Sequence, residues 1–172
     1  EPDAAVAAAL APLPPADAAA AGLLHRDGGG WAAALDLRPH GADSGEEEGD
    51  GEWWVLSDLS DFPARRQERD HVTGVGGASL TLASATPRTP VGTVLDLGTG
   101  CGVQALHAAR HARAVTATDV APRALAMARA TFALNDLDVE LLDGPWLAPV
   151  GGRRFDLIVS NPPFIPGPAR FD

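Results

Sequence analysis

The sequence predicts an α/β fold, a parallel sheet with helices packed on it, preceded by a small α+β module. Three observations predict it. The run Val94-Leu95-Asp96-Leu97 is followed at once by the alternate glycines Gly98, Gly100 and Gly102, and then by a breaker-free helical stretch over 103–110. Strand, glycine turn and helix form the opening unit of a doubly wound sheet. Between residues 91 and 160, short strand-like runs alternate with helical ones, which implies parallel strands joined by right-handed crossovers. Upstream, the pattern changes to alanine-rich helix, hairpin and polar connector. The chain therefore divides into a front module over 1–60, a connector over 61–90 and a sheet-forming core over 91–172.

Taken in order, residues 3–9 and 16–23 read as short helices interrupted by Pro12, Pro14 and Pro15. Residues 23–26 and 31–37 read as two strands joined by Asp27-Gly28-Gly29-Gly30, because Asp-Gly between apolar runs favours a hairpin. A helix leading into a hairpin fits a winged-helix-like module. Residues 40–52 read as a loop, with Glu46-Glu47-Glu48 as solvated carboxylates rather than a metal site. Residues 53–57 read as a strand whose Trp53 and Trp54 pack between domains, and Arg65, Arg66 and Arg69 as the solvated face of a connector. The glycine-rich stretch 71–77 reads either as an inter-domain turn or as a loop folded over a cofactor, and 78–85 as a helix. Core strands are expected at 93–97, 114–118, 139–142 and 155–160. Helices are expected from 103 to about 111 and from Pro122, which sits in a favoured first-turn position. Leu125, Ala128 and Phe132 share one face of the second.

Composition narrows the class. A chain of 172 residues holds one full domain, or a partial one beside a smaller one. Net charge is −10, with no lysine, which disfavours unspecific adhesion to nucleic acid or acidic membranes. Five of the 23 acids, Glu46, Glu47, Glu48, Asp50 and Glu52, sit in one loop, so an acidic total does not exclude a local basic groove. The one cysteine, Cys101, excludes internal disulfides and multi-cysteine metal sites. No apolar run approaches ~20 residues, so no membrane span is expected, and the first residues do not resemble a signal peptide, which points to the cytoplasm.

The glycine spacing departs from the dinucleotide fingerprint G-x-G-x-x-G, because Val103 stands where the third glycine would fall. Asp96, two residues ahead of Gly98, is awkward beside a pyrophosphate but suits a cationic ligand. Asp119 ends the second core strand, where a carboxylate can accept both hydroxyl hydrogens of a ribose. The arrangement D-x-G-x-G-x-G resembles the first motif of class I S-adenosylmethionine-dependent methyltransferases, whose core is a Rossmann-like sheet. That resemblance implies that Gly98, Thr99, Gly100 and Gly102 wrap the methionine part of S-adenosylmethionine and that Asp96 faces its ammonium end. It further implies that Asp119 holds the ribose, Val120 lies beside the adenine and Asp143 receives the adenine amino group. The neighbours of Asp143, Gly144, Pro145 and Trp146, depart from the family pattern.

Asn161-Pro162-Pro163-Phe164 is similar to the N-P-P-[FY] motif of methyltransferases acting on a nitrogen conjugated to a π system. Such a nitrogen is a poor nucleophile. The motif implies that the Asn161 side-chain carbonyl and the Pro162 backbone carbonyl each accept one N–H, and that Phe164 stacks on the planar group. No metal is required. The resemblance spans residues 71–164 and is shared by the HemK-type release-factor glutamine methyltransferases and the ribosomal RNA guanine methyltransferases of the small-methyltransferase group. The acceptor implied is macromolecular, a nucleobase amine in RNA or DNA or a protein glutamine amide. A cofactor-binding but non-catalytic module is the alternative. The family sheet has seven strands and this chain supplies four, so strands five to seven are expected beyond Asp172 or from a partner.

Overall fold

Two short helices, α1 (Asp3–Leu10) and α2 (Pro15–Ala20), open the chain in the computed structural model, which describes residues 1–41, 53–59 and 70–162. They pack on a hairpin of β1 (Leu24–Asp27) and β2 (Gly30–Ala33), whose turn carries Gly28 and Gly29 at positive φ. The buried residues here are Ala18 and Trp31, the latter with the Arg26 guanidinium 3.8 Å from its ring centre. The single strand expected over 31–37 breaks at Ala34, because its two halves take different partners. After the break β3 (Leu35–His40) pairs antiparallel with β4 (Trp53–Asp58). The triple-glutamate loop and the Arg65, Arg66 and Arg69 cluster lie outside the described residues.

The core follows in the expected alternation: α3 (Gly77–Ala85), β5 (Val91–Leu97), α4 (Val103–Ala109), β6 (Ala112–Asp119), α5 (Pro122–Leu134), β7 (Glu140–Asp143), a 3-10 turn (Ala148–Val150) and β8 (Leu157–Ser160). The four core strands form one parallel sheet in the order β7-β6-β5-β8. The chain runs outward from β5 through β6 to β7, then returns to add β8 on the other side. A crevice at the carboxyl ends of the strands is the expected ligand site at such a reversal. β6 starts two residues earlier than expected because Ala112 pairs with Val91 at the foot of β5.

Val94, Ala105, Leu106, Ala117 and Ala128 are fully or almost fully buried in the core. The predicted face of α5 is realised, with Leu125, Ala128 and Phe132 all buried. Val55 of β4 joins this same core, so part of the 1–60 segment packs on the sheet-forming unit. The free edge of β4 is satisfied from α5: the Leu56 N–H donates to Thr131 Oγ1 (3.1 Å), and the Asn135 amide exchanges two 2.8 Å hydrogen bonds with the backbone of Trp54. These side chains stand in for a neighbouring strand, and buried backbone groups demand such partners.

Candidate functional site

The turn after β5 is built to leave its upper face bare. Gly98 and Gly100 have φ of +75° and +57°, and a Cβ on either would meet nothing within 4 Å. The N–H groups of Gly98 and Thr99 both donate to the Thr118 carbonyl at 2.9 Å, which fastens the turn to the end of β6. Asp119 then reaches across. One carboxylate oxygen accepts the Gly100 N–H and the other the Ala121 N–H, each at 2.9 Å. A carboxylate has about four lone-pair sites, so Asp119 keeps acceptor capacity for a diol.

Asp96 lies beneath the turn. It is 1% exposed and does not reach the cavity wall. Its Oδ2 accepts from Thr99 Oγ1 (2.7 Å) and from the Ala105 N–H (3.0 Å), tying the turn to α4 from beneath. Burial raises its pKa to about 6 against these two hydrogen bonds, with the Asp119 charge adding a smaller push in the same direction. Gly102 also lies off the cavity lining. Its φ is +90°, and a Cβ there would lie 2.7 Å from Phe132 Cε1, so it serves the packing of α5 and not the cavity. Asp143 is a third such residue. It is exposed at the end of β7, opposite Asp119, while the next three residues, Gly144, Pro145 and Trp146, line the cavity in its place.

The cavity has a volume of about 630 Å³ and lies over the carboxyl ends of all four core strands. Gly98, Thr99, Gly100, Asp119, Val120, Asn161 and Pro162 of the predicted set line it. Phe164 lies outside the described residues. Val120 and Trp146 stand 66% and 72% exposed near its rim, and Trp146 holds a positive φ of +49°. Cys101 also lines it, but burial pushes its thiol up to about 11, so it is no nucleophile near neutrality.

Sequence reasoning left open the stretch 71–77, and it forms a wall. Its anchor is Asp58 at the end of β4, which accepts the Val72 N–H at 2.8 Å and pairs with Arg123 in the first turn of α5. Burial would raise the Asp58 pKa, but the Arg123 hydrogen bonds, the Val72 N–H and the nearby Arg123 and His71 charges together hold it below the usual carboxylate value. Ser79 and Gln104 are site residues that sequence reasoning missed. Gln104 had a signal, as a polar side chain in an otherwise apolar stretch of α4; Ser79 had none. Among the described residues no group of three or more His, Cys, Asp or Glu is placed to hold a metal, and no helix is long and apolar enough to cross a membrane.

Residues 72–171, more than half of the chain, match the model of the methyltransferase small domain. The chain belongs to that family. Among curated proteins, the chain is 52% identical over 75 residues to a release factor glutamine methyltransferase of Deinococcus radiodurans, covering 42% of this chain and 27% of that protein. It is 42% identical over 93 residues to a ribosomal RNA small subunit methyltransferase C of Escherichia coli, covering 53% of this chain and 26% of that protein. The chain thus spans about a quarter of the length of these relatives. A 16S rRNA N2-guanine methyltransferase of T. thermophilus, solved with AdoMet and guanosine, superposes with a TM-score of 0.58 over 84% of this chain and 41% of its own, at 22% identity. At that identity the likeness concerns the fold, and it extends beyond the 72–171 segment.

Proposed function

We propose that the chain binds S-adenosylmethionine and forms part of an N-methyltransferase acting on a planar, conjugated nitrogen of a macromolecule. One observation carries the reading: Asn161 and Pro162, at the end of β8, line the same cavity as the bare glycine turn and Asp119. The residues fit the cofactor. Gly98 and Gly100 offer a face that no side chain fills, Asp119 offers acceptors for ribose hydroxyls, and Val120 and Trp146 offer an apolar seat for a flat base. When bound, S-adenosylmethionine supplies a methyl group on a sulfonium, open to attack along the S–CH₃ axis.

The protein's part is to hold the nucleophile. The Asn161 side-chain carbonyl and the Pro162 backbone carbonyl accept the two N–H groups of the incoming amine or amide, which lets the nitrogen pyramidalise and aim its lone pair. Both are preformed dipoles pointed at the atom where positive charge develops, and fixing the two reactants at attack distance supplies much of the remaining acceleration. Phe164 stacks on the planar group, and residues 71–77 close the cofactor side. The front residues contribute to acceptor recognition, and the enzyme works in the cytoplasm.

Both a release-factor glutamine and an rRNA base amine suit this site, in keeping with the names of the two curated relatives, a release factor glutamine methyltransferase and a ribosomal RNA small subunit methyltransferase. The test is calorimetry with AdoMet, followed by transfer of labelled methyl to a glutamine-bearing release-factor peptide and to a 16S rRNA fragment. Asp119→Ala is expected to weaken AdoMet binding by roughly 1–3 kcal/mol by leaving hydroxyls unpaired. Asn161→Ala is expected to spare binding and abolish transfer. Binding without transfer to either acceptor would favour the non-catalytic module instead.

A further inference from the structure

One contact in the cavity wall is explained neither by the glycine turn nor by the strand ends. Ser79 of α3 is 8% exposed and lines the cavity beside Asn161. Its Oγ lies 3.3 Å from Asn161 Nδ2, which donates to it. Its carbonyl accepts a hydrogen bond from Gln104 Nε2 at 2.8 Å, and Gln104, in the first turn of α4, is itself 5% exposed. A single serine is thus held to the helix that leaves the glycine turn and, in turn, holds the side chain at the end of β8.

We propose that Ser79 is a positioning residue for Asn161, fixing its amide so that the NH₂ group faces α3 and the carbonyl faces the cavity. The proposal rests on the reading of Asn161 as the acceptor of the substrate N–H. A terminal amide rotates over a broad, roughly two-fold torsional profile, and its two ends have opposite chemistry: two donors on nitrogen, two lone pairs on oxygen. An amine or amide nitrogen presents hydrogens. Only the carbonyl-inward orientation can receive it, and the reverse would set donor against donor. Without a partner on the wall side the amide would divide between the two. With Ser79 Oγ accepting from Nδ2, the productive orientation is selected before the acceptor arrives.

Ser79 can serve as an acceptor because a hydroxyl keeps two lone pairs whichever way its one hydrogen points. Thr81 and Ser84 of α3 each donate their hydroxyl hydrogen to the carbonyl four residues back, at 2.8 and 2.9 Å. Ser79 stands in the first turn, where the residue four back precedes the helix, so this outlet does not reach it and its Oγ serves Asn161 through its lone pairs. Gln104 supplies the other half of the device. Its buried hydrogen bond to the Ser79 carbonyl fixes the height of Ser79 against α4, and therefore against the turn that carries Gly98 and Gly100. Cofactor cradle and acceptor clamp are registered to each other through one residue.

The test compares wild type, Ser79→Ala and Ser79→Thr in the protein at its natural full length. Alanine is the better helix former, so Ser79→Ala should fold and isolate the loss of the hydroxyl. The first readout is the side-chain amide pair of Asn161 in a ¹⁵N-correlated NMR spectrum, assigned by its disappearance in Asn161→Ala. The second is the AdoMet Kd, and the third is kcat and KM for transfer to the release-factor peptide and the 16S rRNA fragment. In Ser79→Ala the amide signals should move toward those of a free amide and kcat should fall about tenfold or more, while the AdoMet Kd stays within about twofold. Ser79→Thr, which keeps the hydroxyl, should restore the signals and the rate. The proposal is overturned if the Asn161 signals do not move in Ser79→Ala, if they move and kcat is unchanged, or if kcat and AdoMet affinity fall together. Failure of the functional reading is seen separately, as absence of transfer by the wild type before any substitution is made, and it removes the proposal with it.

Discussion

A carboxylate as buried as Asp96 either sheds its charge or costs the fold stability. Its pKa of about 6 lies above the ordinary 3.8, so the folded chain holds the proton more tightly than the unfolded one. The stability this contributes is full below about pH 4 and is lost as pH rises to about 6 and beyond. Asn at this position can place its one carbonyl oxygen where Oδ2 lies, to accept from both Thr99 Oγ1 and the Ala105 N–H, with no charge to bury. Asp96→Asn is therefore expected to gain stability relative to wild type as pH rises from 4 to 8, by roughly 2–3 kcal/mol across the range. Urea unfolding at the two ends checks this, and parallel pH profiles would place the charge elsewhere. The same residue shows how far a site can be read from chain order. Spacing located the strand ends, and Gly98, Gly100, Asp119 and Asn161 all line the cavity because a parallel sheet brings its carboxyl ends together. It could not say which way each side chain turns: Asp96 lies beneath the turn, Gly102 lies against Phe132, and Asp143 is exposed at the end of β7, none of them in the cavity lining.

Among the elements, the glycine turn and α5 meet in close packing. Gly98 and Gly102 both sit at positive φ, but only Gly102 is also blocked, by the Phe132 ring. Phe132 is 4% exposed, so it has little room to yield. Gly98→Ala should cost ligand-free stability about 1 kcal/mol, from backbone conformation alone. Gly102→Ala should cost more, roughly 2–4 kcal/mol, since overpacking adds to the same backbone term. AdoMet affinity should respond in the opposite order, because Gly98 faces the cavity and Gly102 does not. Unfolding and calorimetry on the same two proteins decide it; equal stability losses would mean that Phe132 moves aside freely. Helices and strands were legible here because α5 carries its buried residues at helical spacing and β5 is an apolar run. The split of 31–37 into β2 and β3 was not, since it depends on which strand each half finds. Ser79 was hidden for the same reason: α3 reads as a helix, but its docking on α4 and β8 is a tertiary fact.

For the molecule as a whole, the front segment is not one packing unit. Ala18 and Trp31 are buried among α1, α2 and the β1–β2 hairpin, apart from the main core, whereas Val55 of β4 is part of that core and β4 is hydrogen-bonded to α5. We therefore propose that the physical boundary falls near Ala34, between β2 and β3, and not at the composition change near residue 60. The connector anchor supports the same division, because Asp58 at the end of β4 holds both Val72 and Arg123. Removing residues 1–33 should then lower the melting temperature of the remaining core by no more than a few degrees. Val55→Ala in the whole chain opens a cavity in the core and should cost about 2 kcal/mol, or roughly 4–8 °C for a chain of this size. Thermal unfolding followed by circular dichroism compares the two directly. If deleting the first 33 residues costs as much as Val55→Ala, the hairpin supports the core and the boundary lies further along the chain. If the small cost is observed, α1, α2 and the hairpin are free to be judged by acceptor affinity, and a rise in KM for the macromolecule with unchanged AdoMet binding would assign them to recognition.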